Sequence, residues 1–139
     1  MAVHRSMLAM TAVLILGGTP RLPGQAKRGD STRAAPASDS ALANQGASLF
    51  VQKACQGCHT IGKGKAVGPD LAGVLQRRTA DWLRHWLKAP DQMLNSDSTA
   101  KALLDQFNGT RMPDMSLGDK EIDALLSYIA REDARLRRP

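Results

Sequence analysis

The chain has 139 residues, 19 Lys and Arg against 13 Asp and Glu for a formal charge of +6, two cysteines, and only two Phe, one Tyr and two Trp. The length allows one folded domain besides any processed leader, two cysteines exclude a four-cysteine zinc site, and the small aromatic content excludes a core built on large side chains of its own. The basic balance comes with no groove-reading motif, so nucleic acid is not expected as a partner.

Residues 1–26 have the layout of an export signal. His4 and Arg5 precede an apolar run from Met7 to Gly18, and Gly24-Gln25-Ala26 supplies small residues around a cleavage point after Ala26; a basic start, an apolar run of about 7–15 residues and a small-x-small end define such a leader. The run falls short of the roughly 20 residues that span a bilayer, so no membrane span is expected after cleavage, with a retained anchor as the alternative. Residues 27–40 are Lys, Arg, Gly, Ser, Ala, Pro and Asp with almost nothing apolar. Such a segment buries too little to offset the entropy of ordering and reads as a flexible linker, leaving 41–139 as the domain.

A first helix is expected from about Ser40 to Ala54, with Leu42, Gly46, Leu49 and Phe50 on one side. Gly46 costs about 1 kcal/mol against alanine in a helix, which suggests a second backbone passing close by, that of the closing helix with Leu125 and Tyr128 beside Phe50. The helix runs into Cys55-Gln56-Gly57-Cys58-His59. Two thiols three positions apart can each add to one vinyl group of a porphyrin, and a histidine immediately after is carried beneath the ring to the iron; C-x-x-C-H is the attachment pattern of a c-type haem. Zinc would need about four ligands, and a thioredoxin-like dithiol would need strands alternating with helices around the motif. No run of alternating β-branched and aromatic residues is present. A porphyrin would also supply the apolar mass the domain lacks, and export would place the two thiols in an oxidising compartment, the bacterial periplasm.

A second helix is expected to start at Thr79 as N-cap, to carry Trp82, Leu83, Trp86 and Leu87, and to stop at Pro90. The Trp82/Trp86 pair reads first as packing, although an indole N–H is able to reach a haem propionate; Arg77, Arg78 and Arg111 are weaker candidates for the same task. His85, mid-helix, is expected to point outward. A short helical piece is expected at Ser98–Gln106. A third main helix is expected from Gly118 to Arg131, its Ile122, Leu125, Leu126 and Ile129 spaced as one buried face and Gly118 with Glu121 forming half of a capping box.

A second axial ligand is sought among Met93, Met112 and Met115, because thioether sulfur with histidine is a recognised haem ligand pair that raises the reduction potential. Met112 precedes Pro113, which biases it toward extended backbone and lets a loop present its sulfur. Met115, three positions on, is the rival, and one of the two is expected to be an ordinary core methionine.

Together these residues resemble the class I, monohaem cytochromes c over Gly46 to about Ala130. Gly46-Ala47-Ser48-Leu49-Phe50 is similar to the family's Gly-x-x-Leu-Phe opening helix, Cys55 to His59 to its attachment site, Gly68-Pro69-Asp70-Leu71-Ala72-Gly73 to its Gly-Pro-x-Leu-x-Gly turn, Met112-Pro113 to its distal ligand, and Asp119-Lys120-Glu121-Ile122 to the start of its closing helix. Gly118 departs from the Ser or Thr common at that cap. The resemblance implies an all-α, cytochrome c-like fold of three main helices and a short one around one covalent haem c held by Cys55 and Cys58. It also implies iron ligation by His59 and Met112, with the Pro69 carbonyl orienting His59. The expected activity is electron transfer with redox protein partners, not enzymatic catalysis. Loss of the leader would leave 113 residues with 17 basic against 13 acidic groups, and Lys53, Lys63 and Lys65 are candidates for a rim that docks acidic patches. The alternatives are a five-coordinate haem sensor of carbon monoxide or nitric oxide, and a subunit through which electrons reach a larger redox complex.

Overall fold

The computed structural model describes residues 37–139; the expected leader and most of the expected linker lie outside the described residues. Within them the chain forms α1 (Ala37–Gln52), a 3-10 turn (Cys55–Gly57), α2 (Val74–Arg77), α3 (Ala80–Lys88), α4 (Pro90–Ser96), α5 (Ser98–Gln106) and α6 (Asp119–Leu136), with no strand among the described residues. The all-α expectation therefore holds. Helix α1 begins three residues before the expected Ser40, and α6 runs five residues past the expected Arg131. The short α2 and α4 were not foreseen.

Helices α1 and α6 pack directly on each other and form the main contact of the fold. On α1 the buried stripe is Ala43, Gly46 and Phe50, and on α6 it is Ile122, Ala124, Leu125, Leu126 and Ile129, with Asp133 also buried. Gly46 lies where the two meet: a Cβ there would collide with the backbone carbonyl of Ala124 and approach Tyr128 Cβ to 2.8 Å. Phe50 and Tyr128 then touch with ring centroids 5.4 Å apart. The close helix pairing inferred from Gly46 is thus present, with Ala124 as the nearest neighbour.

The remaining ends are set by local chemistry. Thr79 accepts from the Trp82 amide to cap α3, and the Asp97 carboxylate accepts from the Ala100 amide at 2.8 Å to cap α5. Pro90 ends α3 as expected but also occupies the first turn of α4, where its missing N–H costs nothing. At α6 the Glu121 carboxylate accepts from the Gly118 amide at 2.8 Å, so the half capping box forms. Three ion pairs fasten α6 to its neighbours: Lys53–Glu121 at 3.6 Å, Lys88–Asp119 at 2.6 Å and Arg84–Asp123. All are solvent-accessible and individually weak.

Apolar packing is split in two. Phe50, Leu83, Leu117, Ile122, Leu125 and Leu126 form one buried cluster at the α1/α6 crossing, while Leu94 on α4, Ala100 in the first turn of α5 and Phe107 just past its end are also buried. A cavity of about 690 Å³ lies between them, lined by Leu83, Leu125, Leu126 and Ile129 from the first side and Leu94, Leu103, Leu104 and Phe107 from the second.

Candidate functional site

The 3-10 turn puts all three motif residues on the cavity wall. Ala54, at φ 53°, ends the run of α1 and turns the chain; the amides of Cys58 and His59 both donate to the Cys55 carbonyl, at 3.2 and 2.9 Å, closing a coil that carries Cys55, Cys58 and His59 to the same opening. Cys55 is half-buried and Cys58 exposed. Burial pushes the Cys55 thiol above its ordinary pKa, against the opposing pull of a backbone hydrogen bond and Lys53.

His59 is held from behind. Its Nδ1 lies 2.9 Å from the Pro69 carbonyl, a contact in which Nδ1–H donates and Nε2 is left as the lone-pair nitrogen, the arrangement that orients metal-bound histidines. Gly68 makes that approach feasible, because a Cβ at position 68 would lie 2.7 Å from His59 Cε1 and 3.0 Å from Nδ1. The Gly68 amide in turn donates to Cys58 O at 2.8 Å. The turn is secured by Asp70, whose carboxylate accepts from the amides of Gly62 at 2.8 Å, Gly64 at 2.6 Å and Ala72 at 2.8 Å. Desolvation works to raise the Asp70 pKa, yet these three donors outweigh it and hold the carboxyl below its ordinary value.

The three candidate methionines separate. Met93 is absent from the cavity wall, whereas Met112 and Met115 both line it. Met115 packs against the α1/α6 cluster and its carbonyl accepts from Lys53 Nζ at 3.3 Å. Met112 has no place in that cluster, and its Sδ accepts from Trp86 Nε1 at 3.1 Å. Both lie on the loop between α5 and α6, which Arg111 ties to Asp91 on α4 at 2.7 Å.

The other expected site residues have mixed outcomes. His85 is exposed, as expected. Trp82 and Trp86 stack with centroids 5.6 Å apart and planes within 10°, and both line the cavity. Arg77 is engaged by the carbonyls of Ala72 at 2.6 Å and Asp70 at 3.1 Å. Arg78 lies over the Trp82 ring. Of the rim lysines, Lys53 bonds Met115 and Glu121 on the α1/α6 side, and Lys65 reaches the Gln106 carbonyl at 3.4 Å and lies over the Phe107 ring. The buried Asp133, which accepts from the Gly73 amide at 2.7 Å, was not foreseen; it lies beyond the expected end of the third helix.

The residues present fit a covalent porphyrin. The cavity size falls in the range of cofactor sites, ~300–1,000 Å³, its wall is mostly apolar, and two thiols, an imidazole and two thioethers line it. The Trp82 indole N–H is buried without a hydrogen-bond partner, a donor available to a propionate. Asp97 shares that corner: the Ala100 amide holds its carboxyl below the usual range, with smaller help from the Trp82 indole and Arg78, and the indole stays outside hydrogen-bonding geometry. Among the described residues no group of three or more His, Cys, Asp and Glu is placed to hold a metal ion, and no helix is long and apolar enough to cross a membrane.

The family model described as Cytochrome c matches residues 43–131. Among solved structures, the chain is similar to a cytochrome c from Rhodothermus marinus, with 31% identity and a TM-score of 0.65 over 70% of this chain and 81% of that one. It is also similar to the cytochrome c domain of a Pseudomonas putida protein, with 45% identity and a TM-score of 0.60 over 68% and 92% of the two chains. An engineered form of the Rhodothermus marinus protein bound to a carbene intermediate gives 28% identity and a TM-score of 0.61 over 69% and 80%. No curated protein matches the chain.

Proposed function

Since this chain belongs to the cytochrome c family, which carries covalent haem c, we propose that it is an exported, periplasmic carrier of single electrons whose one haem is bonded through Cys55 and Cys58 and ligated by His59 and Met112. When bound, the haem supplies the one-electron couple; everything else is done by the polypeptide. His59 Nδ1–H donates to the Pro69 carbonyl, which fixes the tautomer, aims Nε2 into the cavity and strengthens it as a donor. Met112, which lines the same cavity, offers a soft, neutral sulfur whose pairing with histidine raises the potential. Leu83, Leu125, Leu126, Leu94 and Phe107 exclude water from the space between. No general base or nucleophile is required, so we propose electron transfer without substrate turnover. Partners would dock briefly at the exposed Cys58 edge over a small interface, below about 1,200 Å², with Lys63 available as a basic contact for an acidic patch.

The observation that carries this reading is the different packing of two methionines that both line the cavity with His59: Met115 packs against the α1/α6 cluster and Met112 does not. The test is the absorption spectrum and redox titration of exported holoprotein. Met112→Ala is expected to abolish the sulfur-to-iron charge-transfer band at the red end of the ferric spectrum and to let the reduced protein bind carbon monoxide at neutral pH. Survival of the band would move the ligand role to Met115, and carbon monoxide binding by the unmutated protein would favour a five-coordinate sensor. Intact mass of the exported protein is expected to begin near Lys27.

A further inference from the structure

Trp86 has no task in the reading above, yet its geometry is specific. Indole N–H is a donor only, and a thioether is among the weakest acceptors a protein offers; the Trp86 N–H is nevertheless directed at Met112 Sδ, 3.1 Å away. The direction is built in twice. Trp86 stacks flat on Trp82, planes within 10°, and Trp82 stands in the first turn of α3, whose N-cap Thr79 fixes the start of the helix. The Met112 loop is separately tied to the next helix by Arg111 and Asp91 at 2.7 Å. The two indoles therefore differ in use: the N–H of Trp82 has no partner, while that of Trp86 is spent on a sulfur.

We propose that Trp86 is the positioning residue of Met112, its N–H engaging one lone pair of Sδ so that the other is presented to the cavity and the sulfur becomes a poorer electron donor. The inference rests on Met112 being the axial ligand. A thioether carries two lone pairs, so ligation and the hydrogen bond are compatible. Drawing electron density from the sulfur disfavours the ferric state more than the ferrous one, which raises the potential. Anchoring the sulfur also slows its displacement by other ligands.

Trp86→Phe keeps an aromatic ring to stack on Trp82 and removes the N–H. In the ferric/ferrous equilibrium the variant is expected to shift toward ferric by about twofold to tenfold, the span of one net hydrogen bond, the upper end being ~59 mV for one electron. Imidazole is expected to displace the sulfur from the ferric variant severalfold faster. A variant with the potential and imidazole displacement rate of the unmutated protein overturns the proposal. Should Trp86→Phe fail to fold, the unmutated ferrous protein still decides it by NMR, with the Trp86 indole proton identified as the signal that remains in Trp82→Phe. Slow exchange of that proton with deuterated solvent is expected, and exchange at the rate of an exposed indole overturns the proposal. Met112→Ala separates the two readings: if the charge-transfer band survives there, the ligand assignment itself fails, whereas loss of the band there with an unaltered Trp86→Phe protein removes only the role of Trp86.

Discussion

Asp70 makes the proximal wall sensitive to acid, because one carboxylate gathers the amides of Gly62, Gly64 and Ala72 beside the Pro69 carbonyl that holds His59. Its pKa is lower in the folded protein than in the unfolded chain, so the stability it contributes is present above the unfolded value of about 3.9 and is lost as pH falls through the lower folded value. Asp70→Asn is expected to lower the Tm at pH 7 and to flatten its decline between about pH 5 and 2; parallel Tm–pH curves for the two proteins would contradict this. At this scale the sequence was legible where chemistry is local. Cys55, Cys58 and His59 are contiguous, and the Pro69 turn that reaches His59 carries its signature in the neighbouring Gly68. Trp86 was not, since an i, i+4 aromatic pair on an amphipathic helix reads as packing until the loop 26 residues downstream is in place. The hydrogen bonds of Lys53 to the Met115 carbonyl and of Lys65 to the Gln106 carbonyl were not legible either, because their partners lie 62 and 41 residues away in sequence.

Among the elements, the crossing of α1 and α6 is the most demanding contact. Any side chain at position 46 must displace the Ala124 carbonyl, which belongs to a helix backbone and cannot move like a rotamer. Gly46→Val is expected to destabilise the holoprotein by about 1–3 kcal/mol or more, the usual cost of overpacking, and a melting curve shifted down by at least ~4 °C checks it. The long helices were readable from periodicity, because burial on one face imposes a 3.6-residue repeat; the expected face of the closing helix is the face found buried. Helices α2 and α4 have four and seven residues, too short to show a repeat. Pro90 illustrates the ambiguity: the same missing N–H that stops α3 suits the first turn of α4.

For the molecule as a whole, the cavity outweighs any single contact. At ~24 cal/mol per Å³, 690 Å³ of unfilled apolar space would cost up to roughly 17 kcal/mol, at least the entire stability of a domain. Protein made with Cys55→Ala and Cys58→Ala, and therefore lacking the covalent cofactor, is expected to keep part of its helical far-UV signal while losing near-UV signal and cooperative melting, as loosely packed states do. A cooperative transition like that of the holoprotein would contradict the expectation. The need for such a filler was legible in the scarcity of aromatic residues; the separation of the apolar residues into two groups was not, since it depends on how α4 and α5 fold back. The α1/α6 pairing carries one more consequence, for biogenesis. Residues 37–52 find their main partner in residues 119–136, so a chain that emerges N-terminus first cannot close its principal interface until nearly the whole of residues 37–139 has emerged. Until then the two thiols ride on an unclosed strand of polypeptide, within reach of whatever catalyst joins them to the vinyl groups.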